Sequence, residues 1–235
     1  MLEIKKPLLP DNYIIKKSPE IEKMKWLNGR KEIEFNYDSL GYRNNKNFEE
    51  CISHKNFAIA FGCSHTFGYA IDEHDRYSSI VAQQTSIPVY NAGVNGVANN
   101  FIVENTMELI KKDIIPTFVI VQWTSPYRYT FYTDTQMLKI IPEMKEYSKF
   151  YELLSQKTDY TAWYKHNFLH CYNLIQYLWQ SKGVKVINVK GSGAINDLEV
   201  VADMIYWETI DLAPDLSHSG PLSNRKLANK IIQYV

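Results

Sequence analysis

The chain has 235 residues, 45% of them hydrophobic and 22% charged, with a formal net charge of zero. That length can bury a sizeable core in one domain, and the neutral balance removes a general electrostatic case for nucleic acid or an anionic membrane as partner. No apolar stretch approaches the length that spans a bilayer, and the stretch from Met1 to Pro7 lacks a secretion signal's apolar run. The expected location is the cytoplasm. Cys51, Cys63 and Cys171 are widely spaced and odd in number. They form neither a zinc pattern nor a disulfide framework, which fits a reducing compartment.

In chain order, residues 1–55 are polar and weakly periodic and read as a lead-in that wraps the core. Ile33 to Tyr37 alternates like a short edge strand, and Asp38-Ser39-Leu40-Gly41 reads as a turn. Phe57 to Phe61 is a continuous apolar run, the mark of a strand buried on both faces. A helix is predicted from Arg76 to Ser86, a second strand over Ile87 to Tyr90, and a glycine-bearing loop from Asn91 to Gly96. A helix from Asn99 to Lys112 leads to a strand over Phe118 to Val121. Residues 125–160 read as an insertion or cap, with a helix from Glu143 to Leu154. Apolar residues at helical spacing predict a long helix over 162–181, stopped by Gly183. A strand over Val184 to Val189 and a helix in the tail from Pro221 to Val235 complete the pattern.

Strands alternating with helices predict a parallel sheet of about five strands covered on both faces, a three-layer α/β/α domain of flavodoxin-like type over 56–235. In such sheets the ligand site lies beyond the carboxyl ends of the strands. Ser64, Gly96 and Trp123-Thr124-Ser125 all fall on that rim.

A serine hydroxyl is a poor nucleophile at neutral pH and needs a base, plus donors for the oxyanion that forms. His218 is the candidate base. Asp215, three residues earlier, is placed to reach the imidazole's second nitrogen within one turn. The backbone N–H groups of Ser64 and Gly96 are the candidate oxyanion donors. His65 has no carboxylate nearby in sequence and reads as a packing or surface residue. His166 and His170 have the i, i+4 spacing of metal ligands, but no Glu follows His166 and no third ligand is evident, so no metal is expected. Tyr127, Tyr129, Phe131 and Tyr132 could wall a sugar or acyl group, or pack the insertion against the core or a partner subunit.

These blocks resemble the SGNH (GDSL) hydrolase family. Gly62-Cys63-Ser64-His65-Thr66-Phe67-Gly68 is similar to that family's Gly-Asp-Ser-x-Thr-x-Gly block. Asn91-Ala92-Gly93-Val94-Asn95-Gly96 is similar to the second block, whose last glycine supplies an oxyanion amide, and Asp215-Leu216-Ser217-His218 to the last, Asp-x-x-His. The lead-in from Phe35 to Arg43 is similar to a segment found ahead of the first block in bacterial members. There are two departures. Cys63 replaces the first block's Asp, which lies outside the triad. The third block, Gly-x-Asn-Asp, is replaced by Gln122-Trp123-Thr124-Ser125, so the asparagine donor is missing. Thr124 or Ser125 through a hydroxyl, or Arg128 through its guanidinium, are the substitutes left open.

The resemblance implies a serine esterase with the triad Ser64, His218 and Asp215 and no cofactor. Its expected substrate is a small O-acyl ester, with an O-acetyl carbohydrate favoured, and Asn95, Trp123, Tyr127 and Arg128 are the expected substrate-binding residues. The alternative is a binding or structural protein that keeps the fold without useful activity. A phosphate-binding loop at Gly62–Gly68 is disfavoured, because no basic residue stands in it.

Overall fold

In the computed structural model the described residues are 13–16, 32–132, 137–142, 145–157, 159–191 and 203–235. Five parallel strands form the central sheet: β3 (Ala58–Gly62), β4 (Val89–Gly93), β5 (Phe118–Trp123), β8 (Lys185–Lys190) and β9 (Ile205–Tyr206). Their order is β4-β3-β5-β8-β9. Two small antiparallel pairs stand apart from it, β1 (Tyr13–Lys16) with β2 (Glu32–Phe35), and β6 (Tyr129–Tyr132) with β7 (Met137–Ile140).

Alternation along the strands builds the two faces. Ile59, Phe61, Val119, Val121 and Trp123 enter one apolar cluster, with Phe101, Ile102 and Leu109 of α4 (Asn99–Lys111) and Phe168, Ile175 and Trp179 of α6 (Tyr160–Gln180). Phe48 and Cys51 of α1 (Phe48–Ile52) join the same cluster. Ala58, Ala60, Phe118 and Ile120 enter the other, with Ile80 and Val81 of α3 (Tyr77–Thr85) and Leu227 and Ile231 of α7 (Pro221–Ile232). Each large apolar side chain removed from water in these layers contributes about 1.5–3 kcal/mol. The three-layer architecture and the five-stranded parallel sheet match the sequence expectation.

Two strands run further than predicted. β4 continues through Asn91, Ala92 and Gly93, which the sequence assigns to a loop. β5 continues through Gln122 and Trp123. The helix placed at Glu143 to Leu154 is instead a 3-10 turn at Lys145–Tyr147 followed by α5 (Ser148–Lys157), while Glu143 lies outside the described residues. β9 has no counterpart in the sequence reading. No helix among the described residues is long and apolar enough to cross a membrane.

Parallel pairing sets the carboxyl ends of β3, β4 and β5 on one edge. The short helix α2 (Ser64–Phe67), the 94–98 loop and Thr124 leave from that edge. The lead-in packs beneath it. Asp38 is buried and accepts hydrogen bonds from the Leu40 and Tyr42 amides and the Tyr90 hydroxyl. Asn44 exchanges two hydrogen bonds with the Asn91 backbone, at 3.0 and 3.1 Å, and so occupies the outer edge of β4 as a neighbouring strand would.

Candidate active site

Ser64 is the first residue of α2, one step beyond the N-cap position at Cys63. A single amide oxygen fixes this turn. Gln122 Oε1 accepts from the Cys63 amide at 3.1 Å, the Cys63 thiol at 3.3 Å and the Thr66 hydroxyl at 3.2 Å. The helix lies hard against β4. A Cβ on Gly93 would meet the Phe67 amide nitrogen, and the Thr66 carbonyl carbon at 2.7 Å, so only glycine permits this approach. The far end of α2 is held by Arg43, which is 1% exposed. Its guanidinium donates to the carbonyls of Gly68, Phe67 and Ile71 and lies 4.0 Å from the Phe35 ring centre.

Asp215 and His218 share a closed loop. Leu212 and Ser219 form an antiparallel bridge at its neck, and the Ala213 amide donates to the His218 carbonyl at 2.7 Å. Leu216 takes the left-handed conformation at φ 57°, which lets the chain reverse within a few residues. The Asp215 carboxylate contacts His218 Nδ1 and accepts the amides of Ser217 and His218. Burial alone raises the Asp215 pKa, but these hydrogen bonds outweigh it and hold the carboxyl below its ordinary value. Asn224 anchors the loop to the body. It donates to the Ser219 and Gly220 carbonyls and accepts the Tyr77 amide at the start of α3.

This loop comes to rest on the nucleophile helix. The His218 ring packs against His65 at 4.9 Å and Tyr69 at 5.0 Å between centroids. The serine hydroxyl, in a residue 6% exposed, makes no hydrogen bond to that imidazole; its partner is Cys63 Sγ at 3.9 Å. His218 Nε2 engages no acceptor or donor among the described residues. His65 also touches Trp207 at 5.3 Å. Burial, then the nearby His218 and Arg128, push its pKa down to about 3, so it stays neutral at working pH. Its packing role is as the sequence suggested.

Across the rim, the Ser64 and Gly96 amides donate to no acceptor among the described residues. Gly96 has φ +75°. The Thr124 amide is taken by Asn99 Oδ1 at 3.0 Å and its hydroxyl accepts from Arg128 Nη1 at 3.0 Å, so Thr124 presents no free amide to an oxyanion. The Ser125 hydroxyl accepts the Tyr127 amide at 3.4 Å. The β6–β7 pair lies against the 94–98 loop. Lys139 Nζ donates to the Asn95 carbonyl at 2.6 Å, and the Ala98 amide donates to the Thr130 hydroxyl at 2.9 Å.

Two expected substrate residues are placed elsewhere. Trp123 is fully buried, packs on Phe168 and Tyr172, and donates to Asn188 Oδ1. It is a core residue because β5 runs two positions past the predicted end. Tyr127 packs on Tyr164 at 4.1 Å, and Tyr129 on Trp163 at 5.2 Å and Phe150 at 6.0 Å. These rings fasten the insertion to α5 and α6. Phe131 is 45% exposed, and the Tyr132 side chain lies outside the described residues. His166 and His170 are exposed on α6.

No family model matches the chain, and no curated protein matches its sequence. Solved structures do. A carbohydrate esterase, whose active site is described as displaying divergent catalytic and non-catalytic binding functions, aligns with a TM-score of 0.50 and 13% identity, over 77% of this chain and 68% of that one. The fold is that of the SGNH hydrolases. Two others align less closely. A G-D-S-L family lipolytic protein from Veillonella parvula DSM 2008 has a TM-score of 0.43 and 13% identity, over 75% of this chain and 96% of its own. The acetyl xylan esterase Est2A from Butyrivibrio proteoclasticus has a TM-score of 0.47 and 10% identity, over 77% of this chain and 63% of its own. At these identities the likeness to an SGNH hydrolase is one of fold, and the chemistry rests on the side chains described above.

Proposed function

We propose that this protein is a serine ester hydrolase acting on a small O-acyl ester, with an O-acetyl group on a carbohydrate as the favoured class. Ser64 Oγ attacks the ester carbonyl while His218 Nε2 takes its proton. Asp215 holds Nδ1–H and stabilises the imidazolium. The Ser64 and Gly96 amides receive the oxyanion, a contribution of roughly 3 kcal/mol for each such donor. The tetrahedral intermediate collapses as His218 returns the proton to the leaving alcohol, and water, activated by the same base, then releases the acid.

One observation carries this reading. An imidazole with a carboxylate on Nδ1 and, among the described residues, an unengaged Nε2 packs directly on the helix that begins with Ser64, whose hydroxyl is partnered only by the adjacent Cys63 Sγ. The glycan preference draws on the resemblance and on the carbohydrate esterase that shares the fold. The test is hydrolysis of 4-nitrophenyl acetate by wild type and Ser64→Ala, with fluorophosphonate labelling of Ser64. Turnover and labelling in wild type alone are expected. A protein that is inert to both reagents sinks the triad.

A second reading, a binding protein on the same fold, is favoured by the missing hydrogen bond between Ser64 and His218 and by the engaged Thr124 amide. Glycan binding by an inert, unlabelled protein is the result that would select it.

A further inference from the structure

Two cations at and beside the β6–β7 pair, Lys139 and Arg128, form no ion pair with an acid among the described residues. Lys139 Nζ spends one donor on the Asn95 carbonyl and forms no ion pair among the described residues. Burial lowers its pKa. Arg128 spends Nη1 on the Thr124 hydroxyl, while its Nε is buried with no hydrogen-bond partner. Among the described residues Arg76 pairs with Glu73 and Lys230 with Glu208, while Arg43, whose Nε also lacks a partner, spends its other guanidinium nitrogens on three carbonyls. A shielded cation without a partner costs free energy, and its persistence calls for a reason.

Thr130 pairs with Lys139 across β6 and β7. Thr130 and Lys139 therefore share one face of the pair, and Arg128 lies just before β6, where its Nη1 reaches the Thr124 hydroxyl. That face looks onto the 94–98 loop, since the Thr130 hydroxyl accepts the Ala98 amide. Tyr151 braces both positions by donating to the carbonyls of Tyr127 and Ile140, each next to one of the cations. Lys139 Cδ comes within 3.4 Å of where a Gly96 side chain would start. The charge therefore sits beside the proposed oxyanion donor.

We propose that Arg128 and Lys139 together receive a carboxylate of the substrate, so that the ester cleaved at Ser64 is one that carries a negative charge. This rests on the hydrolase reading and narrows it. A guanidinium fork and an ammonium suit a carboxylate, with charge-assisted hydrogen bonds from both.

The test compares matched esters. One pair is 4-nitrophenyl hemisuccinate and 4-nitrophenyl butyrate, equal in acyl length, with the charge on the acyl side. The other is acetylated glucuronic acid and acetylated glucose, with the charge on the alcohol side. The charged member of one pair is expected to show a kcat/KM at least about tenfold higher. That ratio should fall about tenfold in Lys139→Gln and in Arg128→Gln, and shrink as salt screens the charge. Lys139→Arg, which keeps the charge, should retain the preference and guards against a folding artefact. Ser64-dependent hydrolysis with no preference in either pair, or a preference kept by both glutamine variants, overturns the inference while leaving the hydrolase reading intact. If wild type cleaves none of the four, the hydrolase reading fails, and calorimetric titration with glucuronate, succinate and glucose decides the charge question. Binding of an anion that is lost in Lys139→Gln upholds the anion site. Absence of anion binding, or binding unchanged in both variants, overturns it.

Discussion

His65 stands next to the proposed nucleophile yet serves the fold through its neutrality. Its ring is wedged between Trp207 and His218, where a proton is unwelcome. The folded pKa of about 3 lies below the ordinary 6.5. Unfolding therefore takes up a proton in that interval, and the stability tied to a neutral His65 is full above about pH 6.5 and drains as the pH falls toward 3. Asp215, also held low, adds to acid sensitivity only once its own ordinary range is reached. Urea midpoints at pH 7 and pH 5 should separate further in wild type than in His65→Gln. Equal separations would show that His65 is not the sensor. The candidate residues Ser64, Asp215 and His218 stand out in the sequence because triad chemistry demands particular side chains at particular spacings, and the structure brings Asp215 onto His218 and His218 onto α2. Gln122, Arg43 and Lys139 do not stand out in the sequence. Each does its work through partners remote in sequence, and the one local hint was a lone amide in the apolar run Phe118 to Trp123.

At the level of elements, β4 and α2 explain both a success and a miss. β3 and β5 are readable because strands covered on both faces are apolar throughout. The end of β4 is not, since Asn91 and Gly93 resemble loop residues. Asn91 is polar because its side chain donates to the Thr66 carbonyl and Ser78 hydroxyl, and Gly93 is bare because α2 rests on it. Tertiary demands overrode the local signal. Gly93→Ala should push α2 off β4 and destabilise the protein by roughly 1–3 kcal/mol, read from urea unfolding, with loss of ester turnover. An alanine variant of unchanged stability would mean that the helix can shift at no cost. The misplaced Trp123 has the same root. Two more strand residues carry it from the rim into the layer under α6.

On the scale of the whole molecule, the layers and the parallel sheet were readable from the alternation of strand and helix, and the lead-in was read as wrapping the core, whereas the strand order and the contacts that bind the lead-in were not. Asp38, Tyr42, Arg43 and Asn44 are buried and tie the lead-in to β4 and α2. The segment is part of the core's construction. The sheet also ends differently on its two sides. One flank is the two-residue β9, too brief to template another strand. The other is β4, whose outward backbone at Asn91 is already plugged by the Asn44 amide. Among the described residues, the central sheet thereby offers self-recruitment into fibrils no starting ledge. Asn44→Ala removes the plug, and incubation under mild agitation should then give thioflavin-positive aggregates that wild type resists; equal lag times would show that the ledge is guarded by something other than this amide.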